Sequence, residues 1–192
     1  MSHILKKYAE LLVNYSLEVQ EGERVYIQTT TLAEPLLREV YRSVLKAGGL
    51  PHVNLEFQGK SRIFMDTANE AQLSYNSPLY KEAMTNFECY LFIRAPFNTS
   101  EMRGIDGAKS SIIAKGKQKY RDIYSQRTAV RELKRSLCEF PTQAMAQNAG
   151  MSFENYQNFS PSYRKGYLSW LYQAKREATK EKRILEIIKL LS

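Results

Sequence analysis

The sequence predicts an α/β protein: a three-layer domain with a mostly parallel sheet of about four strands, plus a carboxyl-terminal helical appendage. Three observations carry this. Residues 24–29 and 51–57 are extended runs that bracket an amphipathic helical pattern, and the three segments fit within about 35 residues, the length of a βαβ unit. Residues 89–93, Cys-Tyr-Leu-Phe-Ile, are continuously hydrophobic, as suits a strand covered on both faces. Strand-like and helix-like segments alternate along the chain, and right-handed crossovers between parallel strands place helices on both sides of one sheet.

Ile4, Tyr8, Leu11, Leu12 and Tyr15 recur at helical spacing and predict an amphipathic helix over residues 3–16 with those side chains as its buried stripe. Glu21-Gly22-Glu23 is a turn, and residues 24–29 alternate with period two and a β-branched bias, a first strand. Thr31 and Glu34 have the spacing of a capping box, while Pro35 suits a first helical position, so two helix starts are open. Leu36, Leu37, Val40, Tyr41, Val44 and Leu45 form the apolar face of that helix, and Gly48-Gly49 ends it. Val53, Leu55 and Phe57 share one face of the second strand. Helical segments are predicted over 62–66, 70–75 and 78–86, leading into the third strand at 89–93. Residues 95–107 hold Pro96, Asn98 and two glycines, a loop at the carboxyl end of that strand, where open α/β sheets place ligands. A long polar helix runs to about Ala129, and residues 136–140 read as a fourth strand.

At 192 residues, 43% hydrophobic, with thirteen Tyr and eight Phe, the chain suits one globular domain plus an appendage. No apolar stretch approaches the roughly 18 residues that span a bilayer. The first residues lack the apolar core and small-residue cleavage site of a secretory signal, so a soluble, cytoplasmic protein with no membrane partner is expected. Cys89 and Cys138 are too few for a disulfide framework, lack Cys-x-x-Cys spacing, and read as core thiols. The net charge of +8 is uneven: residues 160–192 carry eight Lys or Arg against three acids, whereas residues 1–159 hold twenty bases against seventeen acids. Residues 103–135 hold ten bases against three acids, but Lys115, Lys117, Lys119 and Arg121 step by two, which scatters them around a helix axis. A solvated helix, with no specific nucleic-acid partner, is the expectation.

Residues 140–156 are the most densely punctuated stretch, Phe-Pro-Thr-Gln-Ala-Met-Ala-Gln-Asn-Ala-Gly-Met-Ser-Phe-Glu-Asn-Tyr. Pro141 stops the strand, Thr142 caps a short helix over 143–147, Gly150 closes it and Ser152 opens another. This wording resembles a segment of the metal-dependent aminopeptidases of the aminopeptidase T, S and II type, the thermophilic leucyl aminopeptidase family. Residues 7–25 look like that family's first helix, turn and strand, residues 33–41 like its next helix, and residues 91–96 like its third strand and loop, in the family's order. Together these cover residues 4–159. The resemblance implies an amino-terminal α/β domain that contributes to substrate access and dimer assembly. In full-length family enzymes a second domain binds two divalent metal ions, zinc or cobalt, through Glu, His, Tyr and Asp, and acts on peptide substrates; a homodimer is expected.

Nothing in this sequence resembles that second domain. A two-metal centre needs converging carboxylates and imidazoles, and here there are two His and three Asp. His3 and His52 have no partner at metal-ligand spacing, and most of the seventeen Glu sit on polar helix faces opposite Lys or Arg. Glu88 and Glu139, which flank strands, are the exceptions. Thr29-Thr30-Thr31 follow the first strand, where they either cap a helix or hold an anion, capping being the favoured reading. There is no Gly-x-Ser-x-Gly, Walker loop or Gly-x-Gly-x-x-Gly. No catalytic, cofactor-binding or metal-binding residue is therefore assigned to this chain, and no cofactor. The predicted division is an aminopeptidase amino-terminal-type α/β domain over 1–159 and a basic amphipathic helical tail over 160–192, whose Leu168, Leu171, Tyr172, Ile184, Leu185, Ile188 and Leu191 have helical spacing. The expected function is the amino-terminal domain, in truncated or frame-disrupted form, of a metal-dependent aminopeptidase that removes amino-terminal residues from peptides, inactive by itself. The alternative is a non-enzymatic α/β interaction or dimerisation module.

Overall fold

Strand β1 (Arg24–Thr30) lies between two parallel neighbours, β2 (Leu50–Glu56) and β3 (Cys89–Arg94), and β4 (Lys134–Glu139) extends the sheet in the order β2-β1-β3-β4. All three pairings are parallel, as the spacing of strands and helices predicts. The computed structural model describes residues 2–159; the helical tail expected over 160–192 lies outside the described residues. The chain steps outward from β1 to β2 and then crosses back over β1 to reach β3, so the topological switch point falls between β1 and β3.

Two helical layers cover the sheet. On one side lie α1 (Ser2–Leu11), which widens into a π-helical turn at Leu12–Ser16, and α2 (Glu34–Lys46). On the other lie α3 (Lys60–Thr67), α4 (Glu70–Ser74), α5 (Pro78–Asn86) and the long α6 (Gly107–Ala129). The domain is thus the three-layer α/β architecture that its pattern predicts. On the first side Val25, Ile27, Leu91 and Ile93 pack against Leu12, Leu36, Val40 and Val44 in an aliphatic core. The second side is aromatic: Tyr26 stacks near Tyr90 at 5.5 Å between centroids, and Tyr90 meets Tyr124 edge-on at 6.1 Å, around a smaller core of Ala83, Met84 and Phe87. No helix of the described residues is long and apolar enough to cross a membrane.

The faces of the helices differ in detail from the predicted stripes. Ile4 and Tyr15 are exposed, and the buried face of the first helix runs through Leu5, Tyr8, Ala9 and Leu12. The π turn adds a residue before the chain leaves the helix, with Leu17 N donating to Leu12 O, and this rotates Val13 and Leu17 into the core in place of Tyr15. Tyr41 and Leu45 on α2 are exposed too. Because β2 is an edge strand, Val53 alone of its predicted apolar face packs on the core, and Leu55 and Phe57 remain exposed. Cys89 and Cys138 are free, buried thiols, as expected, and burial pushes each up to about 12, far from thiolate chemistry.

The punctuation of residues 140–156 works as read. Met145 N donates to Thr142 Oγ1 (3.3 Å) at the start of α7 (Gln143–Asn148), Gly150 takes a φ of +67°, and Asn155 N donates to Ser152 Oγ (3.2 Å) at the start of α8 (Phe153–Phe159). Much of the excess positive charge of residues 103–135 is engaged internally. Arg127, on α6, donates to Met84 O (2.9 Å) and Phe87 O (2.8 Å), satisfying carbonyls at the end of α5, and Lys109 Nζ donates to Met65 O on α3.

At the amino ends of β1 and β3, the Arg24 guanidinium grips Glu88 through Nη2 to Oε1 (2.6 Å) and Nε to Oε2 (3.2 Å), while Arg24 N donates to the same carboxylate (2.8 Å). These hydrogen bonds hold the Glu88 carboxyl below the ordinary glutamate range. A carboxyl whose folded-state pKa is depressed stabilises the fold above its unfolded value, about 4.3, and this contribution fades as pH falls through the folded value. Glu88→Gln is therefore expected to lower the melting temperature at neutral pH, with the gap to the wild-type narrowing in melts recorded below about pH 4.

Candidate functional site

The second face of the sheet is polar where the first is aliphatic. Tyr26 and Gln28 of β1 and Asn54 and Glu56 of β2 point to it, and the crossover from β2 back to β3 is broken into three short helices above it. The breaks are encoded locally. Asn69 and Gln72 form a reciprocal capping box that starts α4, and Ser77 caps α5 with Pro78 in its first turn. A continuous helix would pack flat; three short ones joined at angles leave a cavity of about 550 Å³ between them, α6 and the sheet.

The cavity floor carries a chain of hydrogen bonds. Tyr90 OH donates to Gln28 Oε1 (2.9 Å), Gln28 Nε2 donates to Glu56 Oε1 (3.3 Å), and Lys60 Nζ from α3 stands 3.6 Å from the same oxygen. Burial raises the phenols of Tyr26, Tyr80 and Tyr90, so all three are neutral donors near pH 7. The wall is set by one close approach. At Gly116 on α6 an added Cβ would lie 2.6 Å from Ser74 O, and Asn76 Nδ2 donates to Gly116 O (2.8 Å), so α6 is pressed against the α4–α5 joint. This contact brings Lys117 to the cavity. Its ammonium lies 5.6 Å from the Tyr80 ring centroid and forms no ion pair among the described residues. Burial lowers its pKa, the charge of Arg121 adds to this, and Glu56 opposes. Asn76 is 8% exposed; its Oδ1 is buried without a hydrogen-bond partner among the described residues.

The residues singled out in the sequence lie elsewhere. Glu88 is held by Arg24 at the amino ends of the strands, and Glu139 accepts from Arg94 Nη1 (3.0 Å) at the other end of the sheet. Thr29 Oγ1 donates to Ile93 O (2.9 Å) and Thr30 Oγ1 to Ala95 O (2.6 Å). Both hydroxyl protons are taken by carbonyls, so neither hydroxyl caps a helix; they tie β1 to β3 across the switch point. Thr31 opens a 3₁₀ turn with no side-chain cap, and Pro35 occupies the first turn of α2. His3 is exposed on α1, and His52 stacks on Phe87 at 4.8 Å. Among the described residues no group of three or more His, Cys, Asp or Glu could hold a metal ion, so these residues do not fit a two-metal centre. The cavity residues Asn76 and Lys117 were not singled out by chemistry in the sequence. Its floor did leave a signal: polar side chains at alternate positions, 26 and 28, 54 and 56, in strands expected to be covered on both faces.

The sequence model of one family, described as thermophilic metalloprotease (M29), matches residues 1–163. The chain belongs to that family. A second family model, described as bacteriocin-protection, YdeI or OmpD-associated, matches residues 141–192, overlapping the first over α7 and α8. No curated protein matches in sequence. Among solved structures the fold is similar to that of wild-type AmpT from Thermus thermophilus, with a TM-score of 0.65 and 19% identity over 93% of this chain and 45% of that one. The chain thus spans less than half the length of that protein.

The close approach at Gly116 is open to direct test. Gly→Ala inside a helix ordinarily gains about 1 kcal/mol in propensity. Here the new methyl meets backbone oxygen, which cannot rotate away, and the overlap costs about 1–3 kcal/mol. Gly116→Ala is expected to lower stability in urea unfolding despite the better helix former.

Proposed function

We propose that residues 1–159 are the amino-terminal domain of a metal-dependent aminopeptidase that releases amino-terminal residues from peptides. The family match over residues 1–163 carries this reading. In it, the two divalent metal ions, zinc or cobalt, and the groups that attack the peptide bond come from residues other than those described, which offer no group of three metal-ligating side chains. The chain by itself is then inactive, and residues 160–192, with eight bases against three acids, are read as a separate basic unit. A cytoplasmic location accompanies this reading.

Purified chain mixed with a leucyl arylamide and Zn²⁺ or Co²⁺ is expected to give no turnover, and clear hydrolysis would overturn the proposed division of labour. The family function is tested by a chimera in which residues 1–159 replace the matching part of AmpT. Metal-dependent hydrolysis is the expected outcome, and a chimera that folds and binds metal yet is inert would count against it.

The alternative, a non-enzymatic interaction or dimerisation module, draws on the open edge of β4, where a groove of about 690 Å³ is lined by Tyr15, Arg131, Arg135 and Leu137, and Leu137 is 62% exposed. A homodimer is expected in either reading. Light scattering at high concentration checks it, and a strict monomer would count against the dimerisation module.

A further inference from the structure

We infer that this chain pairs with a second copy of itself along the free edge of β4, antiparallel across a two-fold axis at Leu137, so that Arg135 of each copy stands opposite Glu139 of the other. This rests on the expected homodimer and deepens it by assigning the face through which the copies meet. Backbone direction, the order of charges along β4 and the contrast with the opposite edge support it.

Lys134 N donates to Glu88 O (2.8 Å) and Phe140 N to Arg94 O (2.9 Å), and β4 keeps unbroken register with β3 between them. Even-numbered residues of β4 therefore turn their N–H and C=O groups toward β3, and alternation turns those of Arg135, Leu137 and Glu139 to the free edge. The side chains of the same three residues share the α6 side of the sheet. Arg135 Nη1 donates to Tyr124 OH (2.9 Å), Glu139 accepts from Arg94 Nη1 (3.0 Å), and Leu137 between them is 62% exposed. Along this edge runs the groove of about 690 Å³, bounded by Leu11 and Tyr15 from one helical layer and Tyr124 and Thr128 from the other, which gives an added strand room to lie.

The edge complements itself. Arg135 and Glu139 each lie two residues from Leu137, so a copy rotated about Leu137 sets Leu137 against Leu137 and each charge against its opposite, with all three outward positions exchanging backbone hydrogen bonds. Glu139 already accepts from Arg94, and a carboxylate has acceptor capacity for a second guanidinium. Other registers are worse. Those centred on Arg135 or Glu139 set like charges opposite each other, and those centred on Ser136 or Cys138 set Leu137 opposite a charged residue.

The β2 edge is blocked where the β4 edge is open. Leu50 N donates to Glu23 O (2.8 Å), so the outward positions of β2 are the odd-numbered ones, and Pro51 among them has no N–H to offer.

The test uses the full chain in sedimentation equilibrium at low salt, with circular dichroism melts confirming that each variant folds. The wild-type is expected to be a reversible dimer, and Leu137→Lys, which sets two ammonium groups across the axis, is expected to weaken it at least about tenfold. Arg135→Glu and Glu139→Arg each oppose like charges and are expected to weaken self-association similarly. Mixed together, these two single variants are expected to form a heterodimer of about wild-type affinity, because both cross-strand pairs are then complementary; general destabilisation of either chain would give no such rescue. A dimer of unchanged affinity in folded Leu137→Lys, or a mixture of the two charge variants that stays unassociated, overturns the β4 interface while leaving the homodimer expectation standing. A strict monomer, as when residues 160–192 of the same chain occupy the edge instead, overturns both.

Discussion

The alternation of side chains along β1 is the constraint on which the rest of this structure depends. β1 is paired on both edges, so each of its residues faces one of two helical layers, and period two sorts them without exception: Val25, Ile27 and Thr29 to one side, Tyr26 and Gln28 to the other. The aliphatic side is dry and packs directly against α1 and α2. On the polar side, groups that need hydrogen-bond partners meet short helices that stand off from the sheet, and a cavity results. A slip of one residue would exchange the two faces and bury Gln28 among aliphatic side chains, which is why the register is strongly specified.

Both ends of the β1–β3 pair are latched. The Arg24–Glu88 contact joins their amino ends, and the Thr29 and Thr30 hydroxyls reach the carbonyls of Ile93 and Ala95 at their carboxyl ends. The second latch has a functional consequence. The crevice between β1 and β3, where open α/β sheets commonly admit ligands, is laced shut by these hydroxyls, and the open volume lies toward β2 instead.

Charge follows a similar logic of local use. A stretch with ten bases among residues 103–135 suggests an external polyanion when read as a sum, yet Arg127, Lys109 and Arg135 reach carbonyls or a phenol of their own domain. The helices α7 and α8 are those over which the two family models overlap. They carry a small core of their own in Met145, Ala146 and Tyr156.

The sequence by itself determined the α/β class, the parallel sheet of four strands, the ends of most helices and the family, because each is written in short-range terms: period, cap, glycine and proline. It did not determine which hydrophobic positions are buried at the margins, as Ile4, Tyr15, Leu55 and Phe57 illustrate, since that depends on a π turn and on β2 lying at the sheet edge. The roles of Thr29 and Thr30 and the assembly of Gln28, Glu56, Asn76 and Lys117 around one cavity were likewise decided only by tertiary structure. Their partners lie about 30 to 65 residues away in the chain. Local pattern specifies the face on which a side chain stands, whereas the packing of distant elements specifies what it meets there.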